Sequence, residues 1–510
     1  MQYSSDDRRY SVQFETIAIV DIGSNTVRLV VYEGNGRTSF PLFNEKINCG
    51  LGRSVTYDGS LPPAAVDRAI YALNRFRALC RRFQVRNIHV LATAAVRDAR
   101  DGPQFIARAQ DAIGVDVQLL TGKRESELAL NAIHMGFANP YGICGDMGGG
   151  SLELVHIGDL SNKTVTLKLG GLKLIDRSKG RLKKAAHVIR EDLSTVDWLS
   201  DRSQSSFYAI GGTWRALARL HMDYARAPLR IVQGYRVETS AMIAFCNLVL
   251  EKDKHVTELI DAVDVSRARR ETLSFGALLM RELVTEMRPG NIRFSAYGIR
   301  EGLLFSFLTE QQKQSDPLLA FCKDFARLRS RSYEYIFELC DWTDQVFNAA
   351  GISETKAGRR LRHAACMLSD TEWRAPRDHR EELAFYSIAH APAAGIDHME
   401  RLFLATAVYY CHTNKDTGRK SDPSGLLRGQ ISKKERARAR RVAATVRTAH
   451  LLSAGLPGLL RDVSVTCSGG DTLILHLPRI HADFQGEQLE KQFLNMARKL
   501  EVEHSKIIVE

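Results

Sequence analysis

Two stretches of this chain join an aspartate to a glycine-rich turn: Asp21-Ile-Gly-Ser-Asn-Thr26 and Asp146-Met-Gly-Gly-Gly-Ser151. Each aspartate ends an apolar run, so both turns read as the tips of β-hairpins. Glycine lets the main chain approach a ligand closely, and successive turn N–H groups form a nest for phosphate oxygens. Gly23, Ser24, Asn25 and Thr26 on one tip, and Gly148, Gly149, Gly150 and Ser151 on the other, are therefore candidate phosphate-binding residues. Asp21, Asp146 and Glu153 offer the hard oxygen donors that Mg²⁺ takes, directly or through water. Either tip alone is as well explained by an ordinary turn. The two match in register, D-I-G-S-N-T-V-R-L-V against D-M-G-G-G-S-L-E-L-V, and this points to an internal duplication.

A third candidate is Arg97, which follows the apolar run 87–93 at the loop where α/β sheets place ligands. Its guanidinium can grip two phosphate oxygens at once, or it can pair with Asp98 or Asp101 on the surface.

The elements needed to hold these residues are legible around them. A hairpin at 16–32, an Ala/Arg-rich helix over about 62–83, a buried strand at 87–93, a further helix and a strand at 115–120 alternate as in an α/β sheet. A second hairpin, 141–146 and 151–157, opens the repeat. Beyond residue 305 helices dominate, over 316–411 and 433–455, broken by the polar stretch Thr413–Gly425. A β-rich segment at 463–478 followed by a helix to the end predicts a small α/β cap. The expected domains are 1–138, 139–310, 311–425 and 426–510.

In chain order, Asp21–Thr26, Ala92-Thr-Ala-Ala-Val-Arg97, Leu120-Thr-Gly122 running to Glu125, Asp146–Ser151 with Glu153, Ile210-Gly-Gly-Thr213 and Tyr297-Gly-Ile-Arg-Glu-Gly302 together resemble one family. It is the exopolyphosphatase and guanosine pentaphosphate phosphohydrolase family, within the acetate and sugar kinase, heat-shock and actin superfamily; bacterial exopolyphosphatases are the nearest in pattern. The resemblance covers 16 to about 305. It implies two duplicated ribonuclease H-like (actin-like) α/β domains, then a mostly helical HD-like region and the cap. It also implies Mg²⁺-assisted attack of water on a terminal phosphorus of inorganic polyphosphate, with a glutamate at the start of the helix after Leu120 as base.

Where the family motif usually carries two glutamates, this chain has Arg124 and Glu125, so Glu125 is the candidate. Helix phase agrees: Glu125 shares a stripe with Leu128, Ala129, Ala132 and Ile133, while Glu127 points elsewhere. By the same resemblance, Gly211, Gly212 and Thr213 line the cleft near the phosphate chain. The alternatives are removal of the 5′-terminal phosphate of guanosine pentaphosphate at the same site, an ATP-dependent kinase or ATPase of the superfamily, and a non-enzymatic sensor.

In the helical region the stretch His363-Ala-Ala-Cys-Met-Leu-Ser-Asp370 has a serine where an H-D metal pair would begin. That leaves His390, His398 and His412 without ligand-like spacing. This half is expected to act as a degenerate scaffold that binds polyphosphate or forms a homodimer.

Lys and Arg number 71 against 59 Asp and Glu, a formal net charge of +12. Such a balance attracts polyanions, and Lys179–Lys184 and Arg267–Arg270 are candidate extensions of a polyanion track or solvated helix faces. Nine scattered cysteines without a C-x-x-C pair read as reduced structural thiols. No apolar run is long enough to cross a bilayer and no secretory signal opens the chain, so a cytoplasmic protein that needs neither membrane nor nucleic acid is expected.

Overall fold

A computed structural model describes residues 16–34, 36–52, 55, 59–158, 163–199, 205–262, 267–413 and 423–510. Contacts divide the chain into two compact units, 1–315 and 316–510.

The first unit holds two sheets of the same design. β1 (Thr16–Ile22), β2 (Thr26–Glu33), β3 (Phe40–Asn48), β4 (Asn87–Ala92) and β5 (Val117–Leu119) lie in the order β3-β2-β1-β4-β5. β6 (Gly142–Met147), β7 (Leu152–Ile157), β8 (Thr164–Leu167), β9 (Ser206–Ile210), β10 (Tyr235–Glu238) and β11 (Asn291–Phe294) lie in the order β10-β11-β9-β6-β7-β8. In each, an antiparallel hairpin stands beside a parallel strand: β1 pairs with β2 and β4, and β6 with β7 and β9. The duplication read from two ten-residue motifs therefore extends over both sheets. β1 and β6 are central and almost wholly buried, which is why their sequences run apolar without alternation.

The helix Gly122–Gly136 belongs to both halves. Its N-cap Thr121 accepts a hydrogen bond from the Arg124 N–H at 3.2 Å. Leu128 packs with Ile17, Ile19, Val30 and Leu91 of the first sheet, while Ala129, Ala132 and Ile133 pack with Cys144, Val155 and Tyr208 of the second. A second helix, Ile299–Ser306, crosses it at close range: a Cβ on Gly302 would lie 1.9 Å from the Leu128 carbonyl oxygen. The same helix is pinned to β2, where the Tyr32 hydroxyl donates to Glu301 at 2.6 Å.

The second unit is mainly helical and carries a three-stranded sheet, β12 (Ser464–Ser468), β13 (Thr472–Leu477) and β14 (His504–Val509). The chain was expected to finish as a helix. It finishes instead as β14, which pairs parallel to β13 after the helix Glu487–Lys499; its alternating, half-buried pattern suits an edge strand. The expected boundary near 425 falls beside residues 414–422, outside the described residues, and the helix Lys433–Ser453 beyond it packs on His398–His412 before it. Asp370 is bound by Arg331 at 2.7 Å, Ser369 donates to the Cys366 carbonyl at 2.8 Å, and His363 pairs with Asp344 at 3.0 Å. His390 meets the Tyr386 carbonyl, and burial first of all pushes His412 down to about 3. Among the described residues no His, Cys, Asp and Glu group forms a metal cluster, and all nine cysteines are free thiols. No helix of the described residues is long and apolar enough to cross a membrane.

Gly302→Ala forces apart the two helices that carry Glu125 and Arg300, at a cost of roughly 1–3 kcal/mol. Denaturant unfolding should show a lowered midpoint; a midpoint equal to the wild type would refute the close crossing.

Candidate active site

The two glycine tips fold alike. Gly23 N–H donates to the Thr26 carbonyl, and Gly148 N–H to the Ser151 carbonyl, each at 3.0 Å. They also touch, since a Cβ on Gly149 would come within 2.8 Å of Ser24 Cβ. Only a residue without a side chain lets them close on each other. The amides of Ser24, Asn25, Gly149 and Gly150 donate to no protein acceptor among the described residues. Gly149 is tied from behind, where its carbonyl accepts from Leu172 N–H at 2.9 Å.

A cleft of about 250 Å³ opens where the tips meet. It is lined by Asp21, Gly23, Ser24, Asn25, Thr26, Glu125, Asp146, Gly148, Gly149, Gly150, Ser151, Glu153, Gly211, Gly212 and Thr213, which is the full set of candidates from the sequence with one exception. Gly211 holds φ 116° and passes so near β6 that a Cβ would meet the Met147 carbonyl at 2.3 Å. Thr213 shares a 3.2 Å hydrogen bond with Thr272.

The exception is Arg97. It does not line the cleft: its guanidinium donates to the Leu120 carbonyl at 2.8 Å and forms an ion pair with Glu125, with Asp98 at 3.6 Å. The expected free phosphate grip is thus replaced by a brace on a carboxylate. Helix phase decides the two glutamates as the stripe indicates, with Glu125 buried and Glu127 exposed and paired to Arg124 at 2.8 Å.

Burial dominates the electrostatics. Glu125 is pushed up to about 7 by desolvation, against the pull of Arg97 and with a further push from Asp146 and Asp21. Asp146 rises to about 6 by desolvation, opposed by Arg215 and helped by Asp21. Asp21 is raised by burial although Arg300 lies 3.5 Å away. Glu153 is raised by burial and then by Glu125 and Asp146, and its Oε1 has no hydrogen-bond partner.

Four crowded carboxylates and one orphaned oxygen are the donor chemistry of a hard dication. However, no three acids among the described residues converge as direct ligands of one ion. The expected ligand set Asp21, Asp146 and Glu153 therefore fits only an ion that keeps part of its water shell, as Mg²⁺ does.

Sequence reasoning flagged Arg269 only as part of the basic segment Arg267–Arg270, and missed the other four cations of the cleft: Arg28, Lys46, Arg215 and Arg300. Two of them had a signal. Arg28 stands opposite Asp21 as Glu153 stands opposite Asp146, and Arg300 lies inside the Tyr297–Gly302 motif. Lys46 and Arg215 had none.

Amides without acceptors on two touching tips, with acids beside them in one cleft, suit a site for transfer of a phosphoryl group to water or another acceptor. Sequence comparison narrows this: residues 29–311 match the Ppx/GppA phosphatase family, and residues 318–507 match the model described as exopolyphosphatase, C-terminal. The chain belongs to the Ppx/GppA phosphatase family and is a hydrolase of that class. It is similar to Exopolyphosphatase 1 of Mycobacterium tuberculosis, 26% identical over 317 residues, which covers 58% of this chain and 89% of that protein. It is also similar to Retrograde regulation protein 2 of Saccharomyces cerevisiae, 24% identical over 366 residues, which covers 65% of this chain and 62% of that protein's length. Among solved structures, the Aquifex aeolicus member of the Ppx/GppA family aligns with 22% identity and a TM-score of 0.49, covering 57% of this chain and 97% of that one.

A buried acid such as Glu153, whose pKa in the fold is raised well above the ordinary glutamate value, favours the fold while protonated, and that stability is lost as pH rises above the ordinary value toward the folded one. Glu153→Gln removes this loss. In chelator, the melting temperature of the variant relative to wild type should therefore be higher at pH 8 than at pH 5; an unchanged difference would refute the strain assigned to Glu153.

Proposed function

We propose that the protein is an exopolyphosphatase that releases orthophosphate from the ends of inorganic polyphosphate, with water activated by Glu125. The observation that carries this reading is the placement of Glu125, a carboxylate poised near neutrality, in the same cleft as the free amides of both tips. A general base works best with a pKa near the working pH. The amides of Ser24, Asn25, Gly149 and Gly150 hold the terminal phosphate, and the Ser24 and Thr26 hydroxyls add donors. Asp21, Asp146 and Glu153 are the residues that would hold a hydrated Mg²⁺, which when bound neutralises charge on the phosphate oxygens. Arg97 is a positioning residue: it braces Glu125 against the Leu120 carbonyl. The match of 318–507 to a C-terminal exopolyphosphatase model and the names of the mycobacterial relatives favour polyphosphate over guanosine pentaphosphate.

Orthophosphate release from long-chain polyphosphate should exceed release from guanosine pentaphosphate, and the reverse order would overturn the substrate assignment. Glu125 is neutral below its raised pKa and a base above it, so the rate should climb as pH rises through about 7. Glu125→Gln should lower kcat by roughly 10²–10⁴ and abolish that limb; a variant that keeps the limb would remove Glu125 as base.

Arg97 lowers the Glu125 pKa, so Arg97→Met should move the limb to higher pH as well as reduce kcat. A loss of rate with an unmoved limb would show that Arg97 does not act through Glu125.

A further inference from the structure

A second, smaller cavity of about 90 Å³ stands against the cleft. Ser24, Ala94, Gly149, Gly150 and Leu172 line both, so the touching tips form the wall between them. Leu172 apart, that wall carries nothing larger than a methyl or hydroxymethyl group, and it has no room for more. A Cβ on Gly150 would stand 3.3 Å from Ala94 Cβ, and one on Gly149 2.8 Å from Ser24 Cβ. The amides of Ser24, Gly149 and Gly150, which donate to no protein acceptor among the described residues, belong to this wall. Gly52, Ala95, Asp98 and Lys173 line the small cavity alone. Asp98, with 55% of its side chain exposed, places one end of it at the surface.

Among the described residues Lys173 is the one cation of the small cavity. It sits in the first turn of the helix Gly171–Ser178, where the macrodipole disfavours positive charge. Its ammonium has no hydrogen-bond or ionic partner among the described residues, and Asp98 faces Arg97 at 3.6 Å instead. A cation set against the local rule with no compensating protein group is where a ligand would supply the compensation. The basic segment Lys179–Lys184 lines neither cavity.

Resting on the exopolyphosphatase reading, we propose that the small cavity is the exit for orthophosphate. The cleaved ion passes from the tip amides into it and leaves beside Lys173, while the shortened chain stays in the cleft. In the hydrolysis, water gives its oxygen to the terminal phosphorus and the bridging bond breaks with its electron pair going to the shortened chain. Two anions then lie side by side, and their repulsion favours parting. Through the cleft the small ion could leave only past the chain, which would have to dissociate after every cleavage. Through the cavity it leaves on the far side of the wall that already holds it. Water needs roughly 10–15 Å³ of such space, so about 90 Å³ takes several waters or one tetrahedral oxyanion.

Rapid-quench kinetics of the full chain with Mg²⁺ and long-chain polyphosphate separate cleavage from release. Lys173→Trp, which fills the cavity, should lower steady-state kcat about tenfold or more while first-turnover cleavage stays within about twofold, so that a burst of orthophosphate precedes the slow rate. Lys173→Met, which keeps the length and removes the charge, should lose less kcat and be inhibited more weakly by added orthophosphate. On tripolyphosphate, whose short remainder dissociates readily from the cleft, Lys173→Trp should turn over within about twofold of wild type. Lys184→Trp, at an exposed position of the helix Leu182–Ser194, is the control and should behave as wild type. A Lys173→Trp enzyme without a burst, an equal loss on tripolyphosphate, unchanged orthophosphate inhibition in Lys173→Met, or an equal loss in Lys184→Trp would each overturn the exit alone. Wild-type protein that releases no orthophosphate from long chains would sink the exopolyphosphatase reading itself, and the exit with it.

Discussion

Taking a carboxylate out of water is costly unless a counter-charge or hydrogen bonds offset it, and this cleft does so four times within reach of one another's charge. Desolvation is the largest effect on Asp21, Glu125, Asp146 and Glu153, and the arginines beside them reduce it without cancelling it. The chemistry depends on that imbalance. In water Glu125 would be a weak base with an ordinary carboxylate pKa; buried, it is matched to neutral pH. Lys46 and Arg269, cations with no partner among the described residues, line the same cleft as these acids.

The rest of the unit serves to keep those acids together and dry. The helix Gly122–Gly136 is wedged between the two sheets, so its first turn, with Glu125, is delivered to the point where the glycine tips meet. Close approach is possible because the crossing positions lack side chains: Gly302 at Leu128, Gly149 at Ser24, Gly211 at Met147. Tyr32, Glu301 and Arg300 then tie β2, the helix Ile299–Ser306 and Asp21 into one bonded chain. A site assembled from both halves of a duplicated fold is in this way held by packing rather than by a local loop.

Much of this was legible because phosphate chemistry writes itself in short motifs. The aspartates and glycines of the tips lie within a few residues of one another, and their turn conformation needs only local sequence. Helix phase separated Glu125 from Glu127 for the same reason. The cations were harder. Lys46 lies on β3, an exposed strand whose alternation says nothing of which neighbour its odd and even residues face. Arg97 misled for a related reason, since a guanidinium after a buried strand can serve a phosphate or a carboxylate, and the choice lies with Glu125, twenty-eight residues away. The closing strand β14 was lost in a segment whose pairing partner, β13, stands beyond an intervening helix.

The sequence by itself determined the duplicated hairpins, their glycine tips, the acids beside them and the phase of the helix that carries Glu125, because each depends on residues near in the chain and on periodicities of two or 3.6. Only the tertiary structure decided which charges meet. It set Arg97 against Glu125, Arg300 against Asp21, and left Lys46 and Arg269 lining the cleft without partners among the described residues. Charge pairing is a matter of distance and dielectric across the fold, and neither quantity exists until the sheets and the helix between them have closed.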